Sequence, residues 1–237
     1  MLNDEQLERY QKQMALPGMS QKKQEELLSS TCLVLTGAHC AILALEQLVV
    51  SGVGSIRVLN DVAAGGDDQR HSLANRGIAN PDVSIDFVRF ENGNDFLELL
   101  VADTDSVLEA SLDWQLKLKL SDVCMAAGVP LVHSGCDGGF RQQVYTMVPG
   151  KSACLRCALP LAGIDDYPLI PVSGNAFLPV DAWAASLMAL ETIKILARLG
   201  VTQANELWKL DGLIGEAQTI HGLDPRRDCP DCGSRTA

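Results

Sequence analysis

Three features that would assign a protein to a broad functional class are missing from this sequence. No stretch of the 237 residues reaches the roughly 18–20 consecutive apolar residues that a membrane-spanning helix needs. The N-terminus has neither the basic segment nor the apolar segment of a secretory signal, so we expect a cytoplasmic protein. Lysines and arginines form no cluster and the net charge is −11, which argues against nucleic acid as a partner.

Internal repeats, low-complexity segments and long linkers are missing as well. Hydrophobic residues make up 47% of the chain and charged residues only 21%, so the chain can bury a substantial core. We therefore predict a single α/β domain over residues 1–237. N-terminal helices are expected in 1–30, a Rossmann-like core in 31–150, and a cysteine-containing crossover and C-terminal part in 151–237.

The apolar segments predict a mostly parallel sheet that begins with a β-α-β unit. The run at 32–36 predicts a strand buried on both faces, 41–51 predicts a helix ended by Gly52, and 55–59 predicts the next parallel strand. Flanking helices and an antiparallel extension complete the predicted Rossmann-like fold. The other predicted elements are helices at 3–14, 21–28, 114–127 and 180–198, and strands at 83–90, 106–109, 130–134, 138–148, 206–211 and 216–220.

Cysteine is the residue type that carries the clearest chemistry. Two Cys-x-x-Cys pairs are present, Cys154 with Cys157 and Cys229 with Cys232. Four thiolates are the ligands of a closed tetrahedral zinc site, and each two-residue spacer lets one turn present two sulfurs to the same ion. Because 71 residues separate the pairs, we predict a structural zinc that ties the C-terminal tail to a larger domain. Redox dithiols or free buried thiols are the alternatives.

The remaining cysteines lie in apolar segments, and we expect them to be small core residues. They are Cys32, Cys40, Cys124 and Cys136.

The turn after the first predicted strand departs from the pattern of a nucleotide site. Such a turn normally reads Gly-x-Gly-x-x-Gly, because the second glycine lets the backbone approach the phosphates and the third lets helix and strand pack closely. Here residues 37–42 read GAHCAI, so Gly37 is present and His39 stands at the close-approach position. Asn60 occupies the place of the usual ribose-binding carboxylate. His39 either contacts a phosphate or is a structural residue beside the helix N-terminus.

Several segments, taken in order, resemble one family. They are RYQKQ at 9–13, SGVGSIRVL at 51–59, QR at 69–70, AAGVPLVHS at 126–134, and the two cysteine pairs. This pattern is similar to the ThiF/MoeB/HesA family, relatives of the ubiquitin-activating enzymes, and the resemblance covers nearly the whole chain. It implies a homodimer with a structural zinc that uses ATP and magnesium to adenylate the C-terminal glycine of a ubiquitin-like sulfur-carrier protein.

The resemblance also implies nucleotide-binding positions. Gly37 matches the first glycine of the loop, and Arg70, preceded by Gln69, matches an arginine that contacts phosphate. His39 and Asn60 stand where the family has a second loop glycine and a ribose-binding aspartate. The ATP site implied by the resemblance therefore lacks some of the family's nucleotide-binding residues.

Catalytic roles fall by the same resemblance on Arg70, Asp113 and Lys12. Lys12 replaces an arginine that one subunit supplies to its partner's nucleotide, and it keeps the charge but not the two-pronged hydrogen bonding. Asp113 lies one position after the place of the magnesium-binding aspartate, which is Leu112 here. A phosphate-binding lysine that follows the arginine in the family has only Arg76 nearby.

Because several charge-handling positions are replaced together, we predict a pseudoenzyme. It would be a non-catalytic or weakly catalytic partner that binds a ubiquitin-like sulfur-carrier protein or an active paralogue. The alternative is an active adenylyltransferase of that carrier. A nicotinamide-dependent oxidoreductase is a third interpretation. The altered loop and Asn60 argue against a nicotinamide cofactor as strongly as they argue against ATP. Zinc is the expected cofactor, and binding of ATP with magnesium separates the first two interpretations.

Overall fold

A computed structural model describes residues 1–60, 79–90, 95–136, 139–164 and 177–233. The strands are β1 (Thr31–Thr36), β2 (Ser55–Asn60), β3 (Ser84–Val88), β4 (Ser106–Glu109), β5 (Leu131–Cys136), β6 (Arg141–Met147), β7 (Leu207–Asp211) and β8 (Glu216–Ile220). The helices are α1 (Asp4–Met14), α2 (Gln21–Ser29), α3 (His39–Ser51), α4 (Phe96–Ala102), α5 (Trp114–Ala127), α6 (Leu155–Leu161) and α7 (Leu178–Leu196).

The strands form one sheet in the order β3-β2-β1-β4-β5-β6-β7-β8. Strands β1 to β5 pair in parallel, whereas β6, β7 and β8 continue the sheet by antiparallel pairing. The chain reverses its strand order on passing from β3 to β4, so the carboxyl ends of β1 and β4 flank the switch point where open α/β sheets bind ligands. The predicted α/β fold with an antiparallel extension is confirmed.

Helices cover both faces of the sheet. On one face, α3 and α7 pack on the sheet and on each other around apolar side chains such as Leu48 and Met188. On the other face, α4, α5 and α6 enclose a second core that includes Leu118, Tyr145 and the four cysteines of the two pairs. Strands β1 and β4 are buried along nearly their whole length, as expected for strands covered on both sides.

Short helices account for most of the differences from the predicted elements. Strand β4 and helix α5 have the predicted bounds, but α4 and α6 were not predicted. Each has only seven residues, which is too few for a helical period to be recognised. Cys154 caps α6 and Cys157 lies within it, so this cysteine pair sits on the first turn of a helix.

Residues of the RYQKQ segment connect the N-terminal helix to the residues before β3 and to the end of α3. Arg9 forms an ion pair with Asp82, and the Tyr10 hydroxyl accepts a hydrogen bond from the Asn80 side chain at 2.9 Å. Gln13 donates to the main-chain oxygen of Ser51 at 3.0 Å. This segment therefore has a structural role in holding α1. None of the described helices is both long and apolar enough to cross a membrane.

Candidate functional site

The two cysteine pairs meet in the core. Cys154 and Cys157 come from the start of α6, and Cys229 and Cys232 come from the loop after β8. All four are buried, their sulfurs lie within 4.8 Å of one another, and the Cys232 sulfur is 3.6 Å from both the Cys154 and Cys157 sulfurs. Four sulfurs placed tetrahedrally around zinc at about 2.3 Å are about 3.8 Å apart. The cluster could therefore hold a metal ion such as zinc, and these spacings are far too long for a disulfide.

The surroundings act differently on the individual thiols. Arg226 donates a hydrogen bond from Nε to the Cys157 sulfur at 3.3 Å. Burial alone raises the pKa of Cys229, but main-chain N–H groups of Cys232 and Asp231 outweigh it and lower that pKa to about 7. Burial and the neighbouring sulfurs raise the pKa of Cys154. Four thiolates in one buried cluster repel one another, and a bound divalent cation would remove that repulsion.

Gly37 is required by a close approach of two turns at the carboxyl edge of the sheet. A Cβ atom at Gly37 would lie 2.8 Å from the Leu112 nitrogen and 2.9 Å from the Ser111 Cα. The next residue, Ala38, donates its N–H to the Ala110 oxygen at 2.8 Å. The turn between β1 and α3 is thus packed on the turn between β4 and α5, which by itself explains why residue 37 is glycine.

His39 and Asn60 lie at the ends of neighbouring elements on this edge. His39 is the first residue of α3 and is exposed, and the capping residue Ala38 offers no side-chain hydrogen bond to the helix. Asn60 ends β2, and its Oδ1 accepts a hydrogen bond from the Thr36 hydroxyl at 3.0 Å. The expected nucleotide-binding positions Gly37, His39 and Asn60 therefore share one edge of the sheet.

Asp113 caps a helix. It precedes α5, and its Oδ1 accepts hydrogen bonds from the N–H groups of Gln115 at 2.8 Å and Leu116 at 3.3 Å. The side chain is exposed at the same edge of the sheet as His39. A capping carboxylate satisfies helix N–H groups that would otherwise lack partners, so this residue has a structural role whether or not it binds magnesium.

No contact among the described residues brings Lys12 to this edge. Lys12 is exposed on α1 and forms no hydrogen bond or ion pair with a residue that the structure describes. Gln69, Arg70 and Arg76 lie outside the described residues.

A buried charged cluster that the sequence analysis missed lies behind the turn between β4 and α5. Lys117 donates to Glu109 at 3.0 Å and to the Ser134 oxygen at 2.7 Å, and His133 Nδ1 lies 2.6 Å from Glu109. Glu109 also accepts from the Ser111 N–H at 2.6 Å, which fixes the turn. Glu109 and His133 are wholly buried, and Lys117 is nearly so. A glutamate inside an apolar strand was the available signal.

Burial and the neighbouring charges set the protonation of this cluster. Burial raises the pKa of Glu109, but Lys117 and His133 outweigh it, so the net pKa is lowered. Burial and the charge of Lys117 lower the pKa of His133. The cluster is therefore an anionic glutamate paired with a cationic lysine, and the neutral histidine donates from Nδ1 to the glutamate.

A second buried polar group missed by the sequence analysis is Asp181, in the first turn of α7. It accepts a hydrogen bond from Gln142 on β6. An acidic residue among apolar residues at the start of this helix was the signal in the sequence.

A cavity of about 500 Å³ opens beside the candidate site, on the antiparallel part of the sheet. Trp114, which follows Asp113, lines it together with Gln143, Lys209 and Cys136. The expectation that Cys136 is a core residue was wrong, because β5 ends at the sheet edge and leaves this side chain half-buried against the cavity. Cys32, Cys40 and Cys124 are buried as predicted.

Comparison with known proteins identifies relatives of this chain. The ThiF family model matches residues 73–231. A molybdopterin-synthase adenylyltransferase from Escherichia coli (strain K12) is 29% identical, with 98% of this chain and 98% of that protein covered. A sulfur carrier protein ThiS adenylyltransferase from Bacillus subtilis (strain 168) is 22% identical, with 96% and 72% covered.

A solved structure of MccB from E. coli with ATP is similar with a TM-score of 0.71 at 18% identity, covering 90% of this chain and 69% of that one. At this identity the likeness concerns the fold alone.

Proposed function

The chain belongs to the ThiF family, and from that premise we propose that it recognises a ubiquitin-like sulfur-carrier protein or an active paralogue. In this proposal it catalyses adenylation weakly or not at all. The similar protein from B. subtilis is named for adenylating a sulfur carrier, which supports a carrier as the partner.

One observation carries the claim of weak catalysis: among the described residues, the edge that would hold a nucleotide has few groups available for it. His39 replaces a glycine at the start of α3, the Asn60 Oδ1 accepts from Thr36, and Asp113 caps α5. Adenylation depends on positioning and on neutralising phosphate charge, and the loss of one group that stabilises the transition state costs about 3–4 kcal/mol, by analogy with an oxyanion hole. Several replacements together would slow the reaction by many orders of magnitude.

The partner's end would enter the cavity on the antiparallel strands. The cavity reaches Trp114 beside the candidate site, and its volume of about 500 Å³ suits a few residues of extended chain. The cavity wall carries both a cation, Lys209, and carboxylates such as Asp211 and Glu216. Polar main-chain and side-chain groups of an extended tail would find hydrogen-bond partners there.

The metal cluster would serve the fold. Four sulfur ligands leave no open coordination position, so zinc at Cys154, Cys157, Cys229 and Cys232 would be structural. It would join the loop after β8 to the start of α6. Zinc in this position would stabilise the fold and would take no part in chemistry at the candidate site. We place this scaffold in a homodimer or in a pair with an active paralogue, with Lys12 exposed toward the second subunit.

An active adenylyltransferase is the second candidate, and the near-complete coverage of the E. coli relative favours it. Arg70, Lys12, Arg76 and Asp113 would then carry the reaction.

Isothermal calorimetry separates the two candidates. Small ubiquitin-fold proteins of the same organism that end in Gly-Gly are titrated into the protein, with and without ATP and magnesium. We expect binding of one such protein that does not depend on ATP, and no tight binding of magnesium ATP. A partner truncated by its last two glycines is the matched control and should bind more weakly. Tight magnesium-dependent binding of ATP would favour the active enzyme instead.

A further inference from the structure

Asp181 is a buried carboxylate with an incomplete set of partners. Only 1% of the residue is exposed. Its Oδ1 accepts a hydrogen bond from Gln142, whereas its Oδ2 is buried and has no hydrogen-bond partner among the residues that the structure describes. A buried carboxylate oxygen without a donor is costly unless a favourable electric field compensates it. Any positive potential near Asp181 therefore reduces the cost of its negative charge.

A chain of hydrogen bonds connects Asp181 to the first turn of α3. The Cys40 thiol donates to the Ser134 hydroxyl at 3.8 Å, the Ser134 hydroxyl donates to the Gln142 side-chain oxygen at 3.4 Å, and the Gln142 amide donates to Asp181. All four side chains are buried. Every donor in the chain is directed toward the carboxylate, so each bond polarises the next in the sense that stabilises a negative charge on Asp181.

The positive potential comes from the N-terminus of α3. Cys40 is the second residue of this 13-residue helix, which packs along α7, and Ala38 gives the helix no side-chain cap. The N-terminus of a helix carries the equivalent of about half a positive charge. His39, the first residue of α3, also acts on Asp181: burial raises the pKa of this carboxyl overall, and His39 and Gln142 offset part of that rise. The potential that a helix N-terminus usually offers to a phosphate thus acts on a carboxylate of the protein itself.

We propose that Asp181 is a specificity-determining residue that makes the N-terminus of α3 reject the phosphates of a nucleotide. Its buried carboxylate compensates the positive potential from inside, so that an incoming phosphate meets a like charge. This inference rests on the proposed function, since it gives a reason why the chain would bind ATP poorly. It differs from the altered loop, because the effect of Asp181 is electrostatic and is exerted from beneath the loop.

The expected effect is large enough to measure. Two unit charges roughly 8 Å apart at an effective dielectric constant of about 20 change an equilibrium constant about 30-fold. A phosphate chain carries more than one charge, and solvent ions screen part of the repulsion. Removing the charge of Asp181 should therefore strengthen the binding of a phosphate ligand at least about tenfold.

The test is the D181N variant of the full chain, titrated at pH 7.5 with ATP, pyrophosphate and adenosine. Asparagine keeps the shape and can still accept from Gln142, while the charge is lost. We expect ATP and pyrophosphate to bind at least about tenfold more tightly than to the unchanged protein. Adenosine, which has no phosphate, should bind equally to both proteins.

Glu191→Gln is the matched control, because it removes a buried charge from the same helix ten residues further on. That is roughly 15 Å along the axis and beyond the screening length of about 8 Å at physiological salt, so E191Q should leave all affinities unchanged. Melting curves verify that each variant is folded. If D181N does not fold, D181V tests the same loss of charge with an apolar side chain.

Unchanged, weaker or undetectable ATP binding by D181N would overturn the inference, as would an equal gain for adenosine. The comparison is a ratio between variant and unchanged protein, so it can be read separately from the proposed function. If the unchanged protein binds magnesium ATP tightly and is active, the proposed function fails. A tenfold gain in D181N would still support the role of Asp181.

Discussion

Replacing Lys117 by methionine should destabilise the fold strongly. Lys117 is 1% exposed, and its Nζ lies 3.0 and 3.2 Å from the two carboxylate oxygens of Glu109 and 2.7 Å from the Ser134 oxygen. Methionine has a similar volume, so little packing is lost, but Glu109 becomes a buried charge without its counter-ion. Breaking a buried pair in this way costs about 3–5 kcal/mol. Lys119→Met on the exposed side of the same helix is the matched control and should change stability by less than about 0.5 kcal/mol.

The stability penalty of K117M should also depend on pH, because His133 contacts Glu109. In the unchanged protein, burial and Lys117 lower the pKa of His133. The unfolded chain then takes up a proton at this residue at a higher pH than the folded protein does. The stability from this residue is therefore fully present above the unfolded pKa of about 6.5 and is lost as the pH falls toward the lowered folded pKa.

Removing Lys117 should reverse this contribution. Among the described residues, His133 is then the only basic side chain in contact with Glu109. Its Nδ1 lies 2.6 Å from the carboxylate, and the charge of Glu109 favours the imidazolium form. A histidine whose pKa is raised on folding contributes stability below its unfolded pKa, and that contribution disappears as the pH rises through the folded pKa. The penalty of K117M should thus be smaller at pH 5.5 than at pH 7.5.

Urea unfolding at pH 5.5 and 7.5 measures these free energies in the unchanged protein, K117M and K119M. The H133Q variant separates the contribution of His133 from that of other groups that titrate in this range. If K117M costs less than about 1 kcal/mol at pH 7.5, the cluster is not the buried ion pair described above. A penalty that is equal at both pH values would contradict the assignment of His133 as neutral.

Two other predictions concern the metal cluster and the cap of α5. Removing the metal with a chelator, or replacing Cys232 by serine, should lower the melting temperature by roughly 8 °C or more. Loss of a structural metal costs more than about 4 kcal/mol of stability, and each kcal/mol shifts the midpoint by about 2–4 °C. Metal analysis should find one zinc ion per chain, and an unchanged midpoint would argue against a structural site. Replacing Asp113 by alanine should lower the free energy of unfolding by about 1 kcal/mol, whereas asparagine should change it very little, because asparagine also caps helices. Urea unfolding measures both variants. Equal losses of stability would mean that the charge of Asp113, and not its capping hydrogen bonds, supports the fold.

The sequence predicted those parts of the fold that depend on local pattern. The apolar run at β1, the glycine that ends α3 and the periodic segment of α5 each follow local rules, and their elements were found near the expected residues. The cysteine spacing likewise predicted that four sulfurs would converge. Gly52 ends α3 in the left-handed conformation, with φ of +85°, as a C-terminal glycine does.

The polar networks could not be predicted, because their members are distant in the sequence. Glu109, Lys117 and His133 lie on a strand, a helix and the next strand, and only the sheet register brings them together. Asp181 reaches the first turn of α3 through residues of β5 and β6. Local propensity contains no information on such pairings. A charged residue in an apolar segment signals a buried partner, but it does not identify that partner.

Carrier-dependent exchange between ATP and pyrophosphate is the most direct test of the central claim. The purified protein is assayed with magnesium, with each Gly-Gly-ending ubiquitin-fold protein of the same organism, and beside the E. coli relative as a positive control. We predict binding of a carrier together with an exchange rate at least about a thousandfold below that of the relative, as expected when several groups that position the nucleotide or neutralise its phosphates are replaced. An exchange rate comparable to that of the relative would contradict it.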